Sequence, residues 1–197
     1  MKKILIAGDS FAADWTVKYN GRGWPNVLSE YFNVTNIAQA GCSEYKIWLQ
    51  LSEKNIKKYD AIIVSHTSPN RIYVKKHPVH DKDLLHKNSD LIYSDLKYHL
   101  SKHAEIGSIV EFFENYFDLE YANFIHGLIC DKINNYLESY NNKIIHISHY
   151  NKNELKYFTN GIKQSFESIK SQPGLINHYN EQANLQIARI LKNIIED

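Results

Sequence analysis

Ser10 is the side chain whose type and position could start a reaction, given a base that takes its proton. Ser10 closes the stretch Lys2–Ser10, KKILIAGDS, directly after Gly8-Asp9. A serine hydroxyl is nearly inert at neutral pH and becomes a nucleophile only beside a base that takes its proton. Histidine titrates close to working pH, so it can accept that proton and later return it to a leaving group. The tetrahedral oxyanion formed on the way needs preorganised donors, each worth about 3–4 kcal/mol. Taken singly, the candidate residues have plainer readings. Ser10 can cap a first helix, Gly8-Asp9 can be an ordinary strand-to-helix turn, and His178 can simply open the last helix. Asn70 can be a turn residue, Arg71 a substrate clamp or a surface charge, and Cys42 a small buried residue beside the site.

The frame that must position these residues reads as α/β. Ile4–Ala7 is continuously apolar and β-prone, as a strand buried on both faces should be. Gly8 permits a tight turn, which leaves Ser10 at the carboxyl end of a first strand, where open α/β sheets bind ligands. Asn20-Gly21 and Gly23 mark a loop, and Trp24-Pro25 opens a short helix. Val34–Ala38 reads as a second strand, running into Gln39-Ala40-Gly41-Cys42-Ser43, with Ser43 capping the next helix. Tyr59–Val64 is the third strand and exits into the turn Ser65–Arg71. A helical period returns from Gly107 to about Ser139; Phe113, Tyr116, Phe117, Tyr121 and Phe124 are read as its core-facing aromatics. Lys143–Ser148 is the fourth strand, residues 151–176 show no clear period, and a last helix runs from about Tyr179 to Ile195. Strands alternating with helices predict a three-layer α/β/α fold around a mostly parallel sheet.

Residues from about 72 to 103 are polar, His-rich and weakly periodic, which predicts an insertion or lid at the strand ends. His77-x-x-His80 and His99-x-x-x-His103 have spacings that zinc sites use, but no cysteine joins them; the reading is a solvated, substrate-facing lid without metal. The bulk numbers narrow the classes further. A length of 197 residues, 43% hydrophobic and 23% charged, suits one globular domain with a good core. A net charge of +1 gives no field favouring nucleic acid or an anionic membrane. Two cysteines, Cys42 and Cys130, argue against a disulfide framework and for a reducing compartment. The apolar run after Lys2-Lys3 breaks at Gly8-Asp9, short of the roughly 7–15 residues of a signal h-region. No stretch approaches the roughly 20 apolar residues of a membrane span, so a cytoplasmic location is expected.

On three blocks the chain resembles the SGNH (GDSL-type) hydrolase family. A first strand ending in Gly8-Asp9-Ser10 resembles the family's first block, with Ser10 as nucleophile. The strand ending in Asn36-Ile37-Ala38-Gln39-Ala40-Gly41 resembles the second, whose glycine gives a backbone N–H to the oxyanion hole. His178-Tyr179-Asn180-Glu181-Gln182-Ala183-Asn184 resembles the last, which carries the catalytic histidine before a final helix. The resemblance spans residues 1–70 and 170–197. It implies a flavodoxin-like three-layer fold and esterase, lipase, thioesterase or carbohydrate-deacylase activity. Two positions depart from the family pattern. Its Gly-x-Asn-Asp block falls near Thr67–Asn70, with Pro69 at the asparagine position and Asn70 one step along, so the resemblance implies the backbone N–H groups of Ser10 and Gly41 as oxyanion donors with the Asn70 side chain as a third. Its triad aspartate, three residues before the histidine, is Leu175 here. His178 must then be oriented by a backbone carbonyl, by Asn177 or by an acid from elsewhere.

The sequence is accordingly read as a single SGNH-hydrolase-like domain over residues 1–197, a serine esterase or deacylase acting on a small acyl ester, carbohydrate esters included. An acyltransferase using the same Ser10–His178 pair and a catalytically degenerate binding protein on the same scaffold are the alternatives. A nucleotide binder ranks last, because the first turn lacks the glycines of a phosphate-binding signature. The reading requires no cofactor, metal or nucleic-acid partner, and leaves the oligomeric state open.

Overall fold

A computed structural model describes all residues, Met1–Asp197. The strands are β1 (Lys3–Gly8), β2 (Asn33–Asn36), β3 (Ala61–Ser65), β4 (Lys143–Ser148) and β5 (Ile162–Ser165). The helices are α1 (Trp24–Leu28), α2 (Glu44–Ser52), α3 (Tyr93–His99), α4 (Gly107–Asn115), α5 (Leu119–Glu138) and α6 (Glu181–Glu196). The apolar runs predicted as strands are buried along their length in β1, β3 and β4, apart from the leading lysines of β1 and β4. Successive residues of a strand point to opposite faces, so each strand feeds two cores. Ile4, Ile6, Ile63 and Ile145 pack with Trp24 and Leu28 of α1 and Ile187 and Leu191 of α6. Leu5, Ala7, Ile62 and Val64 pack with Ile47 and Leu51 of α2 and Ile133 and Leu137 of α5. Each such side chain contributes about 1.5–3 kcal/mol by leaving water. The result is the predicted helix–sheet–helix sandwich.

The sheet runs β2-β1-β3-β4-β5 and every neighbouring pair is parallel. From β1 the chain crosses to one side to make β2 and returns to the other to make β3. The loops leaving β1 and β3 therefore diverge and open a crevice at the carboxyl edge, which is where Ser10 lies. No helix is long and apolar enough to cross a membrane.

Four expectations are corrected. Residues 151–176 contain β5, which sequence missed because this edge strand, Ile162-Lys163-Gln164-Ser165, is short, polar and incompletely buried. The helical period expected over 107–139 is carried by two helices that meet at Tyr116–Asp118, where the Asp118 carboxylate caps α5 by accepting the Tyr121 N–H at 2.8 Å. Ser43 occupies the N-cap position of α2, but its hydroxyl makes no capping bond. The aromatics of 113–124 are not all core: Tyr116, Tyr121 and Phe124 are 73%, 65% and 61% exposed, and only Phe113 is buried. The stretch expected as a lid carries α3 and, with α4, buries its own small core of Leu91, Leu96, Ile106, Val110 and Phe113.

Candidate active site

The position of Ser10 begins at Gly8. A Cβ there would lie 2.5 Å from Ser65 Cβ, so only glycine lets β1 and β3 approach at their ends. Gln50 of α2 then fixes this strand end, accepting from Gly8 N–H at 2.8 Å and donating to Gly8 C=O at 3.1 Å. The chain beyond is a turn closed by the N–H groups of Ala12 and Ala13 on the Asp9 carbonyl. Ser10 therefore caps no helix. The Asp9 carboxyl is fully buried, accepts from Phe11 N–H at 3.1 Å and Ser65 Oγ at 3.3 Å, and is pushed up to about 6 mainly by burial.

His178 reaches this turn from the other end of the sequence. The Asn180 side chain caps α6 by accepting from Ala183 N–H at 2.8 Å. Just before it, Asn177 and His178 adopt left-handed backbone, with φ of 50° and 62°. This conformation costs energy for residues with a Cβ. Two bonds hold it: the buried Asn177 amide donates to the carbonyls of Phe11 and Ala13, both at 2.9 Å. Asn177 thus ties the histidine loop to the serine loop and does not orient the imidazole itself. The ring is packed between Phe11 and Trp15, with centroids 4.5 and 5.3 Å away. His178 Nε2 lies 2.9 Å from Ser10 Oγ. With Nε2 accepting the serine proton, the imidazole proton sits on Nδ1, which no protein group receives. Burial, then the charges of Arg71 and His86, pushes His178 down to about 4. It is neutral, and so able to accept a proton, throughout the physiological range.

Gly41 completes the crevice. Its φ of 77° and a hypothetical Cβ only 2.5 Å from Ser89 Cβ both require glycine. Its carbonyl accepts from Asp90 N–H at 2.9 Å and Arg71 Nη1 at 3.1 Å, while its own N–H, like that of Ser10, makes no protein hydrogen bond. Gly41→Ala is expected to lower the melting temperature as the loop and Ser89 are forced apart, and an unchanged melting temperature would show that the crevice accommodates a Cβ there.

Ser10, Gly41, Arg71 and His178 line one cleft of about 140 Å³, together with His80, His86, Asp90 and Asp95. Asn70 is absent from it: that residue is exposed and lines a separate groove with Pro69, Leu119 and Asn153. The side chain that the turn after β3 turns toward Ser10 is Arg71, held by Nε on Thr67 Oγ1 at 3.1 Å and by the Gly41 carbonyl. Arg71 also borders a second cavity of about 480 Å³, walled by Tyr73, Phe112, Phe117, Tyr121 and Ile125 and containing Glu44 and His126.

Sequence reasoning missed Asp90. Its buried carboxylate accepts from Ser43 N–H at 2.7 Å and Val74 N–H at 2.9 Å and pairs with Lys46 at 2.7 Å. The polar stretch is thereby fastened to the loop that carries Gly41, as a fixed wall of the cleft. An aspartate in a polar stretch carries no local signal of such a role. Among the histidines of that wall, His80 Nε2 lies 2.9 Å from Asp95 Oδ2, and His77 and His99 approach the same carboxylate at 3.7 Å. His77 Nδ1 accepts the N–H groups of Val79 and His80, both at 3.2 Å, so its proton is on Nε2, facing Asp95. His103 does not join them and pairs with Glu105. Against models of protein families and against curated proteins, the sequence gives no match.

Proposed function

We propose that the chain is a serine esterase or deacylase of the SGNH type, acting on small acyl esters, carbohydrate esters among them. The observation that carries this reading is the 2.9 Å approach of Ser10 Oγ to His178 Nε2 in a cleft where two backbone N–H groups, of Ser10 and Gly41, are unclaimed. Ser10 Oγ attacks the acyl carbon as its proton passes to Nε2. The carbonyl oxygen becomes an oxyanion facing the two N–H groups, with the Arg71 guanidinium adding positive charge nearby. Collapse breaks the bond to the alcohol, which leaves with the proton from Nε2. Water then repeats the cycle on the acyl-serine, giving its proton to His178, and Ser10 departs with that proton. A hydroxyl acceptor in place of water makes the same pair an acyltransferase.

The bare Nδ1 of His178 favours a second reading, a binding protein that has lost its catalysis. An orienting carboxylate fixes the tautomer and stabilises the imidazolium, and its loss costs several orders of magnitude. A fluorophosphonate probe separates the two readings. Labelling of the wild-type chain that vanishes in Ser10→Ala and weakens in His178→Ala supports the hydrolase; a wild-type chain that takes no label sinks it.

The depressed His178 value also sets a pH profile. The base form is required, and it is lost only as pH falls through about 4. kcat/KM is therefore expected to stay level from pH 8 down to about 5 and to fall below that. An acid limb centred near the ordinary histidine value of about 6.5 would contradict the assignment.

A further inference from the structure

We propose that Glu44, His126 and Cys130 form a binding site for one divalent transition-metal ion, with zinc the best match to their donor set. The site lies apart from Ser10 and stands independently of the hydrolase reading. His126 and Cys130 are spaced i and i+4 on α5 and so share one face of the helix. The first turn of α2 brings Glu44 against that face, and one donor atom of each residue lies within 4.8 Å of the other two. Glu44, His126 and Cys130 are only 2%, 6% and 0% exposed.

Buried polar groups are normally paired, and buried charges are normally neutralised. Here one buried nitrogen lacks a partner, and a free thiol and a carboxylate without a full counter-charge sit beside it. Nε2 of His126 is occluded and has no hydrogen-bond partner. Cys130 is a free thiol. The Glu44 carboxylate has no lysine or arginine partner, only the imidazole of His66 at 2.7 Å. A cation between them would supply the missing counter-charge and take up the orphaned nitrogen at once. Thiolate, imidazole and carboxylate are the donors zinc uses, at about 2.0–2.3 Å.

The surroundings suit a coordinated carboxylate. Glu44 Oε1 accepts from His66 Nδ1 at 2.7 Å and Oε2 from Thr67 N–H at 3.2 Å, which leaves a lone pair on each oxygen. His66 Nε2 in turn accepts from His146 Nδ1 at 2.9 Å. Metal ligands are commonly oriented by outer hydrogen bonds of this kind. Three protein ligands leave a fourth position open, as in non-structural zinc sites. Glu44 and His126 both border the 480 Å³ cavity, so that position faces an aromatic-walled pocket. The lid cluster His77–His80–Asp95 also holds an occluded, unpartnered Nε2 on His77, but its Nδ1 accepts two N–H groups, so Nε2 carries the proton and offers a metal no lone pair.

The test uses the full chain, equilibrated with zinc chloride and then dialysed, alongside a cobalt(II)-loaded sample. One zinc per chain should be retained, and the cobalt form should show thiolate-to-cobalt charge-transfer absorption in the near ultraviolet. Cys130→Ser should abolish that band and the tightly held zinc. His66→Gln, which removes only the outer hydrogen bond, should weaken zinc binding by about 10–100-fold. Thermal unfolding of each variant reports whether it folds, and His126→Gln replaces Cys130→Ser if that variant does not. The proposal is overturned if wild-type chain retains no zinc or if cobalt binds without the charge-transfer band. Retention unchanged in folded Cys130→Ser also overturns it, by placing the ion on the surface histidines.

Discussion

Ser10→Ala should lower ester turnover by at least about two orders of magnitude without unfolding the protein. The fold is spared because the residue's structural contacts are made by its backbone, whose carbonyl accepts from Trp15 Nε1 at 2.9 Å, while the hydroxyl meets only His178. The size of the loss follows from what His178 lacks. In a complete triad, removing the nucleophile costs about 10⁶-fold, of which about 10⁴ depends on the carboxylate that orients the histidine. No acid touches His178 Nδ1, so about 10² remains for the pair to contribute. Steady-state turnover of p-nitrophenyl acetate by the purified variants measures it. Ser10→Ala and His178→Ala should fall together and the double variant little further, because the two act as one unit. A loss nearer 10⁶ would mean that bound substrate draws an acid onto Nδ1. Undiminished turnover in Ser10→Ala would end the hydrolase reading.

The second large effect is on stability in acid. Burial pushes His66 and His149 down to about 3 and His146 to about 2, while His77 and His178 fall to about 4, also chiefly through burial. Between pH 6.5 and 4 the unfolded chain binds protons at these five positions and the folded chain does not, so unfolding takes up protons and stability falls as pH falls. Three carboxyls, two buried and one partly so, act with the opposite sign. Asp9 is pushed up to about 6 and Glu44 and Glu154 to about 7, each mainly by burial. They hold protons in the folded state that the unfolded chain releases, and so weaken the fold as pH rises from about 4 to 7. Five histidines against three carboxyls leave a net uptake of about two protons near pH 5, a slope of about 2–3 kcal/mol per pH unit. Urea unfolding of metal-free chain at pH 7, 6 and 5 should show the midpoint dropping steeply. A midpoint that is flat or rises toward pH 5 would show that these histidines are not held neutral in the folded protein.

Much of the frame was legible because its signals are local. A continuous apolar run of four or five residues reports a strand buried on both faces, and a 3.6-residue period reports a helix with one face covered. Those patterns place Ser10 at the carboxyl end of β1 and His178 just before α6. What failed were elements whose burial is partial. β5 is an edge strand with no apolar pattern to read, and the aromatics of α5 keep the helical spacing of a core stripe while standing in solvent and at a cavity wall.

The site divides in the same way. The residue types at Ser10, Gly41 and His178, and their places at element ends, follow from the sequence alone, since each is tied to a local turn or cap. Everything that joins them was decided by tertiary structure. In the turn after β3, Asn70 stands outward in solvent while Arg71 reaches the Gly41 carbonyl. Asn177 bonds to Phe11 and Ala13, across the length of the chain, and so seats a strained His178 beside Ser10. Asp90 binds the polar stretch to the Gly41 loop, and Glu44, His126 and Cys130 meet only because α2 packs on α5. Hydrogen bonds and packing between segments far apart in the chain leave no periodicity behind them. The sequence therefore identifies which groups could react, and the folded chain alone brings serine and imidazole to 2.9 Å.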